Sequence, residues 1–322
     1  MKKYKIASLF AGIGGIDYGF EQAGANPVWA NEIDKYCAIT FTANHKKTKL
    51  VVDDICNIKG KDIPKVDILT GGFPCQPFSV AGYRKGFEDD RGNMFHQIMR
   101  LVDEMEENNN KPRVIFLENV KNLKTHDNNN TFTVIKKELE KREYTVTEEV
   151  LNTCEYGNTP QNRERIIIVG FKNHNIKFEF PEPQNINVKL GDILEKAVDP
   201  KYTISDKLWA SHQRRKKEHQ AKGNGFGYCL FNEESKYTST ISARYYKDGS
   251  EILIEQKGKN PRKLTPREAA RLQGFPDDFK LVVSDMQCYK QFGNSVPTKM
   301  IEAVANKVYE ALVEGGEIEN GN

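Results

Sequence analysis

The sequence predicts an α/β fold, a mostly parallel sheet with helices on both faces, joined to a smaller irregular segment that contains β-structure. Three observations lead there. Through the first 170 residues, short apolar runs alternate with stretches of helical spacing, the pattern of strands linked by crossover helices. The residues with the clearest chemistry fall at the predicted carboxyl ends of those strands, where open α/β sheets gather ligand groups. After residue 171 the chain turns richer in Asn, Lys and Gly and loses regular helix spacing.

Taken in order, residues 5–10 read as a short buried strand ended by AGIGG, and 16–23 as a helix stopped by Gly24. Residues 27–31 and 36–44 repeat the pair. Residues 66–70 form a strand that runs into Gly71 and Gly72, and 94–105 an amphipathic helix. Residues 114–118, 132–141 and 165–171 read as strand, helix and strongly apolar strand. Within 173–263, ARYYKDGSEILI is hairpin-like, with Asp248-Gly249 as its turn. From Pro297 a helical pattern returns, and the tail GGEIENGN is expected to fray.

Composition bounds the function. Charged residues at 29% and hydrophobic residues at 38% suit a soluble globular protein, and no apolar run approaches a membrane span. The six cysteines (37, 56, 75, 154, 229 and 288) include no CxxC pair and do not cluster with histidines. Neither a zinc site nor a disulfide scaffold is expected, and a reducing cytoplasm is. The net charge of +3 hides an asymmetry: residues 172–263 hold 18 Lys and Arg against 12 Asp and Glu, and the remainder is net acidic. That segment includes Arg214, Arg215, Lys216 and Lys217 in succession. Such a run is a solvated surface or a seat for a polyanion.

Four constellations carry chemistry. In SLFAGIGG, glycines after a strand and before a helix let backbone approach a ligand at a helix N-terminus. Glu32, 20 residues after Gly12 at the next strand's end, can accept from ribose hydroxyls. A nucleoside cofactor is implied, with NAD and S-adenosylmethionine both open. In GGFPCQPFS, Cys75 sits between two prolines at a strand end, as a positioned nucleophile needs, although an inert buried thiol is the commoner state of a cysteine. FLENV ends a strand on Glu118 and Asn119, as a catalytic carboxylate or a cap. In PQNRERIIIVGF, Arg163 and Arg165 are expected on one face of an extended strand, where they need anions or carbonyls.

These blocks, with LTPREAARLQGFPDDF and QFGNSVP, resemble in the same order the motifs of the DNA (cytosine-5)-methyltransferase family, over residues 8–297. The resemblance implies a Rossmann-like S-adenosylmethionine-dependent domain at 1–185 and 290–322, with a small target-recognition domain at 186–289. It implies Cys75 as the thiolate that adds to C6 of cytosine, Glu118 at N3, Arg165 at O2 and Arg163 in support. Donor contacts carry over to Phe10, Gly12, Ile13, Gly15, Glu32, Asp54, Ile55, Pro74, Asn294, Ser295 and Val296. Ile33 stands where some relatives place an aromatic beside the adenine. S-adenosylhomocysteine would be the product, and no metal is expected.

The target base must be flipped from a duplex, so double-stranded DNA is the implied partner. Ser79, Arg214, Arg215, Lys216, Lys217, Lys222, Arg244, Tyr245 and Tyr246 are the candidate DNA contacts, and the stretches HQAKGNGFGYCLF and TISARYYKDGSEILI resemble the Dcm-type branch that modifies CCWGG or CCNGG. A cytoplasmic monomer of bacterial or phage origin follows, with a cognate restriction endonuclease as a further partner and no membrane association. The alternatives are a transfer-RNA methyltransferase of the same family, whose Cys-Phe-Thr signature is absent here, and a DNA-binding protein without catalysis.

Overall fold

A computed structural model of the chain describes residues 4–74, 94–184 and 187–318. The chain forms two compact units: residues 1–151, 164–182 and 300–322 in the first, 152–163 and 183–299 in the second.

The first unit is built on a seven-stranded sheet. Its strands are β1 (Lys5–Leu9), β2 (Asn26–Glu32), β3 (Lys49–Val52), β4 (Ile68–Gly72), β5 (Val114–Val120), β6 (Thr145–Asn152) and β7 (Glu164–Phe171), in the spatial order β3-β2-β1-β4-β5-β7-β6. The pairs β1–β2, β2–β3, β1–β4 and β4–β5 are parallel, and β5–β7 is antiparallel. Helices α1 (Gly15–Gln22), α2 (Lys35–Asn44), α3 (Met94–Glu107) and α4 (Asn130–Glu140) fall between the strands. The mostly parallel α/β expectation is met, and the order reverses between β1 and β4. That switch point opens a crevice at the carboxyl ends of the two strands.

The central strands read as continuous apolar runs because both faces are covered: Ile6, Leu69, Ile115, Leu117, Ile166 and Ile168 are each fully buried. Helix α3 contributes one face, with Phe95, Ile98, Met99, Leu101, Val102 and Met105 buried at helical spacing. Strands β3 and β6 escape the sequence reading for a physical reason. They lie at the two edges of the sheet with mostly half-exposed or exposed side chains, so β6 mixes polar and apolar residues and β3 offers only the three-residue apolar run 50–52.

The second unit holds α5 (Thr153–Tyr156), α6 (Asp206–Ala221), β8 (Leu230–Phe231), β9 (Leu253–Ile254), α7 (Pro266–Leu272) and α8 (Asp285–Asn294). Helix α9 (Thr298–Glu314) follows. Two expectations are corrected here. A 16-residue helix, α6, lies within the segment expected to lack helices. It buries only His212, so apolar periodicity cannot reveal it, and its N-terminus is set by the Ser205 hydroxyl accepting from the Leu208 N–H. The expected hairpin around Asp248-Gly249 is absent: β9 pairs instead with β8, in parallel, and residues 243–248 wind through turns. Helix α7 starts on a reciprocal capping box between Thr265 and Glu268 with Pro266 at its first turn. The buried Glu268 also takes a bidentate pair of hydrogen bonds from Arg262, at 2.7 and 2.8 Å.

Candidate active site

Strand β1 ends at Leu9, and the backbone then turns through three left-handed residues, Phe10 (φ 53°), Gly12 (φ 58°) and Gly14 (φ 85°), before α1 begins at Gly15. Only glycine adopts that region freely, so Phe10 is strained, as residues at ligand sites often are. Two contacts from β2 fix the turn. The Ala11 N–H donates to the Asn31 carbonyl at 3.0 Å, and the Gly12 N–H donates to Glu32 Oε2 at 2.7 Å. The other carboxylate oxygen of Glu32 accepts from the N–H groups of Ile33 and Asp34, at 2.9 and 2.7 Å. Glu32 is therefore aimed by the backbone N–H groups of three residues, with a lone pair to spare for a hydroxyl donor. Asp54 caps the short turn Ile55–Asn57 by accepting from the Cys56 N–H, and Asn31 ties β2 to β3 through the Val51 and Asp53 carbonyls.

Among the sequence-predicted donor residues, Ile33 is 64% exposed, whereas Ile13 and Ile55 are buried and can offer little but backbone. Pro74 is exposed. Under the turn, the buried carboxyl of Asp17 accepts from the Ser8 hydroxyl at 2.7 Å, and Ser8 also pairs with the Thr70 hydroxyl at 2.8 Å. Burial pushes Asp17 up to about 7, the Ser8 hydrogen bond opposing that only in part.

At the end of β5 the Glu118 carboxylate meets Arg165 on the neighbouring antiparallel strand, Oε1 to Nε at 2.9 Å, with side chains 10% and 13% exposed. Gly72 at the end of β4 lies beside the carboxylate: a Cβ there would be in ordinary contact, 3.4 Å from Glu118 Oε2. Asn119 next to it donates from Nδ2 to the Phe73 carbonyl at 2.8 Å and accepts the Val120 N–H. The chain entering the Pro74–Cys75 peptide is thus anchored to the same strand end that carries Glu118. Asn119 was visible in the FLENV block, but its anchoring role needed the β4–β5 pairing. Cys75 and Ser79 lie outside the described residues.

Arg163 and Arg165 do not share a strand face. Strand β7 starts at Glu164, and the backbone of Arg163 bonds instead to the Asn152 side chain and the Thr153 N–H. Arg163 is 1% exposed and donates to the carbonyls of Ile241 (2.9 Å), Gly293 (3.0 Å) and Ser295 (2.6 Å). It is a positioning residue of the second unit. Two glutamines unmarked by sequence reasoning join that cluster. Gln161 donates to the Leu272 carbonyl and accepts the Ile241 N–H, and Gln273 donates to the Phe292 carbonyl. Asn294 is exposed, Ser295 half-buried and Val296 buried.

A sequence profile of C-5 cytosine-specific DNA methylases matches residues 4–310. The chain belongs to that family. Similar proteins include the type II methyltransferase M.NlaX of Neisseria lactamica, 56% identical over 96% of this chain and 97% of that protein. M.SsoII of Shigella sonnei is 54% identical over 96% of this chain and 81% of its own length. The DNA-cytosine methyltransferase of Escherichia coli K12 is 38% identical over 94% and 76%. The fold is shared with crystal structures of DNMT2 from Spodoptera frugiperda (TM-score 0.78, 22% identity, 95% of this chain and 100% of that one) and of S. pombe Dnmt2 methyltransferase (TM-score 0.78, 20%, 98% and 100%). The family and fold expected from the six blocks are therefore both met, and the protein is a cytosine C5 methylase of DNA.

In the methylase, the basic segment divides into exposed and half-buried cations, with Arg214 on the exposed side pairing with Glu218 at 3.6 Å. Arg214, Lys217, Lys222 and Arg244 are exposed. Half-buried Arg215 pairs with Asp248 at 3.1 Å, and Lys216 sits 4.3 Å from the Tyr228 ring centre while donating to the Tyr228 carbonyl. Tyr246 is half-buried. Tyr245 is not a surface reader: it is fully buried, its hydroxyl donates to the Ile252 carbonyl at 2.6 Å and accepts the Leu264 N–H, and its ring packs edge-on against Tyr289. Burial of an aromatic body with both hydroxyl roles satisfied leaves nothing to offer DNA. Phe226, flanked by Gly225 and Gly227, is 71% exposed. Among the described residues no cluster of His, Cys, Asp and Glu has the makings of a metal site, and no helix is long and apolar enough to cross a membrane.

Proposed function

We propose that this methylase transfers the methyl group of S-adenosylmethionine to C5 of a cytosine flipped out of duplex DNA, with Cys75 as covalent nucleophile. The Glu118–Arg165 pair at the end of β5 carries the reading, because Asn119, the next residue, anchors the chain two residues before Cys75.

C5 of cytosine is a poor nucleophile. A thiolate of Cys75 adding to C6 makes the ring an enamine, and a proton passed from Glu118 to N3 neutralises the negative charge that develops there. Arg165 positions Glu118 and holds the base O2. After C5 has accepted the methyl group it gives up its proton to a base, the Cys75–C6 bond breaks, the thiolate leaves, and N3 returns its proton to Glu118. S-adenosylmethionine supplies an electrophilic methyl. The turn at Phe10–Gly15 and the carboxylate of Glu32 fit such a donor: backbone is bare at Gly12, and Glu32 keeps acceptor capacity for ribose hydroxyls. Exposed Ile33 offers an apolar face beside it.

The recognition sequence is assigned to the CCWGG or CCNGG class from the two stretches around 219–231 and 240–254, with Arg214, Lys217, Lys222 and Arg244 as the DNA-contacting cations. A monomer acting in the cytoplasm, paired with a restriction endonuclease, completes the reading. Bisulfite sequencing of DNA from cells expressing the protein tests activity, base and site together. Methylated cytosine in one five-base-pair context supports it. Label appearing in transfer RNA and not in duplex DNA refutes it. Cys75→Ala is expected to abolish turnover while donor and DNA still bind.

A further inference from the structure

His45 has no part in the chemistry described above, yet it is built into the glycine turn from 31 residues away. It closes α2, its N–H donating to the Phe41 carbonyl at 2.8 Å, and its ring leans on the Phe41 ring with centroids 4.4 Å apart. Only 7% of the residue is exposed. Nε2 lies 3.3 Å from the Ile13 carbonyl oxygen. A carbonyl can only accept, so the proton is on Nε2. Burial lowers His45 to about 4, and the ring is neutral under working conditions. The same ring fills the space over Gly14: a Cβ on that residue would lie 2.1 Å from Nε2 and 2.6 Å from Cδ2.

One imidazole thus bonds the turn at residue 13 and blocks it sterically at residue 14. That matters because β2 holds the turn only at residues 11 and 12. Glycines carry the most backbone entropy to lose on ordering, and Gly12, Gly14 and Gly15 stand within four positions. A turn that samples several conformations binds in proportion to the fraction that is competent.

We propose that His45 is a positioning residue for the methyl donor, holding the turn from Gly12 to Gly15 in its binding-competent conformation through the Ile13 carbonyl and the face of Gly14. The proposal rests on the assignment of that turn to S-adenosylmethionine. His45 touches no substrate; it acts through backbone.

Two substitutions separate bonding from bulk. His45→Phe fills the space without a donor, and His45→Gln restores an N–H at nearly the reach of Nε2. Calorimetric titration with S-adenosylmethionine should show ~10-fold weaker binding for His45→Phe and recovery to within ~2-fold for His45→Gln. KM for the donor should rise in parallel, with kcat at saturating donor and Kd for DNA within ~2-fold of wild type. Wild-type donor affinity in His45→Phe overturns the proposal, as does an equal loss of kcat and DNA affinity, the mark of general destabilisation. Wild-type protein that binds DNA but no S-adenosylmethionine overturns the assignment of the turn and the proposal with it. Where His45→Phe does not fold, the ring nitrogen resonances of wild-type protein decide: an Nε2-protonated ring whose signals shift on donor addition is expected, and an Nδ1-protonated or unresponsive ring overturns it.

Discussion

The Glu118 carboxylate and the Arg165 guanidinium face each other across β5 and β7 at 2.9 Å, each side chain about nine-tenths buried. Removing one partner strands the other in a medium that solvates it poorly. Arg165→Ala should therefore cost roughly 3–5 kcal/mol, the usual range for breaking a buried pair, while Glu118→Gln keeps an acceptor and should cost less. Urea unfolding of both variants and the double variant measures the coupling. Additive losses would show that the pair is not an energetic unit. In methylation assays Glu118→Gln should lose kcat far more than donor affinity.

Asp17 and His45 oppose each other with pH. The folded-state value of Asp17 is raised to about 7, so its contribution is intact below the ordinary carboxylate range near 4 and is lost as pH rises from there to 7. The folded-state value of His45 is lowered to about 4, so its contribution is intact above 6.5 and is lost as pH falls from there to 4. Asp17→Asn should thus be more stable than wild type at pH 8, by a few kcal/mol at one pKa unit per 1.36 kcal/mol, with the advantage gone at pH 4. A stability difference independent of pH in denaturant titrations would show that Asp17 does not titrate in this window.

Gly293 has no room for a side chain. A Cβ there would sit 2.2 Å from the Ser242 carbonyl carbon and 2.3 Å from the Ala243 nitrogen, backbone atoms that cannot swing aside. Its carbonyl is also one of the three that Arg163 binds. Gly293→Ala should destabilise the second unit by about 1–3 kcal/mol, the common cost of overpacking. Limited proteolysis should cut residues 183–299 faster in the variant, and an unchanged digestion pattern with an unchanged Tm would contradict this.

The basic segment should separate by exposure. Neutralising Arg214, Lys217, Lys222 or Arg244 should reduce the slope of log K against log salt for DNA by about 0.9 per phosphate contact removed. Lys216→Ala removes a cation from the Tyr228 ring and should lower Tm while leaving that slope unchanged. A reduced slope for Lys216→Ala, or none for the four exposed cations, would reverse the division.

Much of the methylase was legible in its residues. The buried parallel strands announce themselves because both their faces are apolar, and the blocks around Gly12, Glu118 and Asn294 carry family identity in contiguous residues. Glu32 was singled out as a candidate ribose acceptor by its 20-residue spacing to Gly12 and its place at the next strand's end, while its bond from the Gly12 N–H came only from the fold. Tertiary structure decided what depends on burial and on partners distant in the chain. Tyr245 belongs to the core and Arg244 to the surface, though they are adjacent, because only one side of that turn meets Tyr289. Arg163 and Arg165 part company because the strand begins between them, sending one guanidinium to three carbonyls and the other to Glu118. Helix α6 is held by a cap and by the folded surroundings of His212 rather than by an apolar stripe. Periodicity records how a segment faces a core; it is silent where polar contacts and chain-distant neighbours do the selecting.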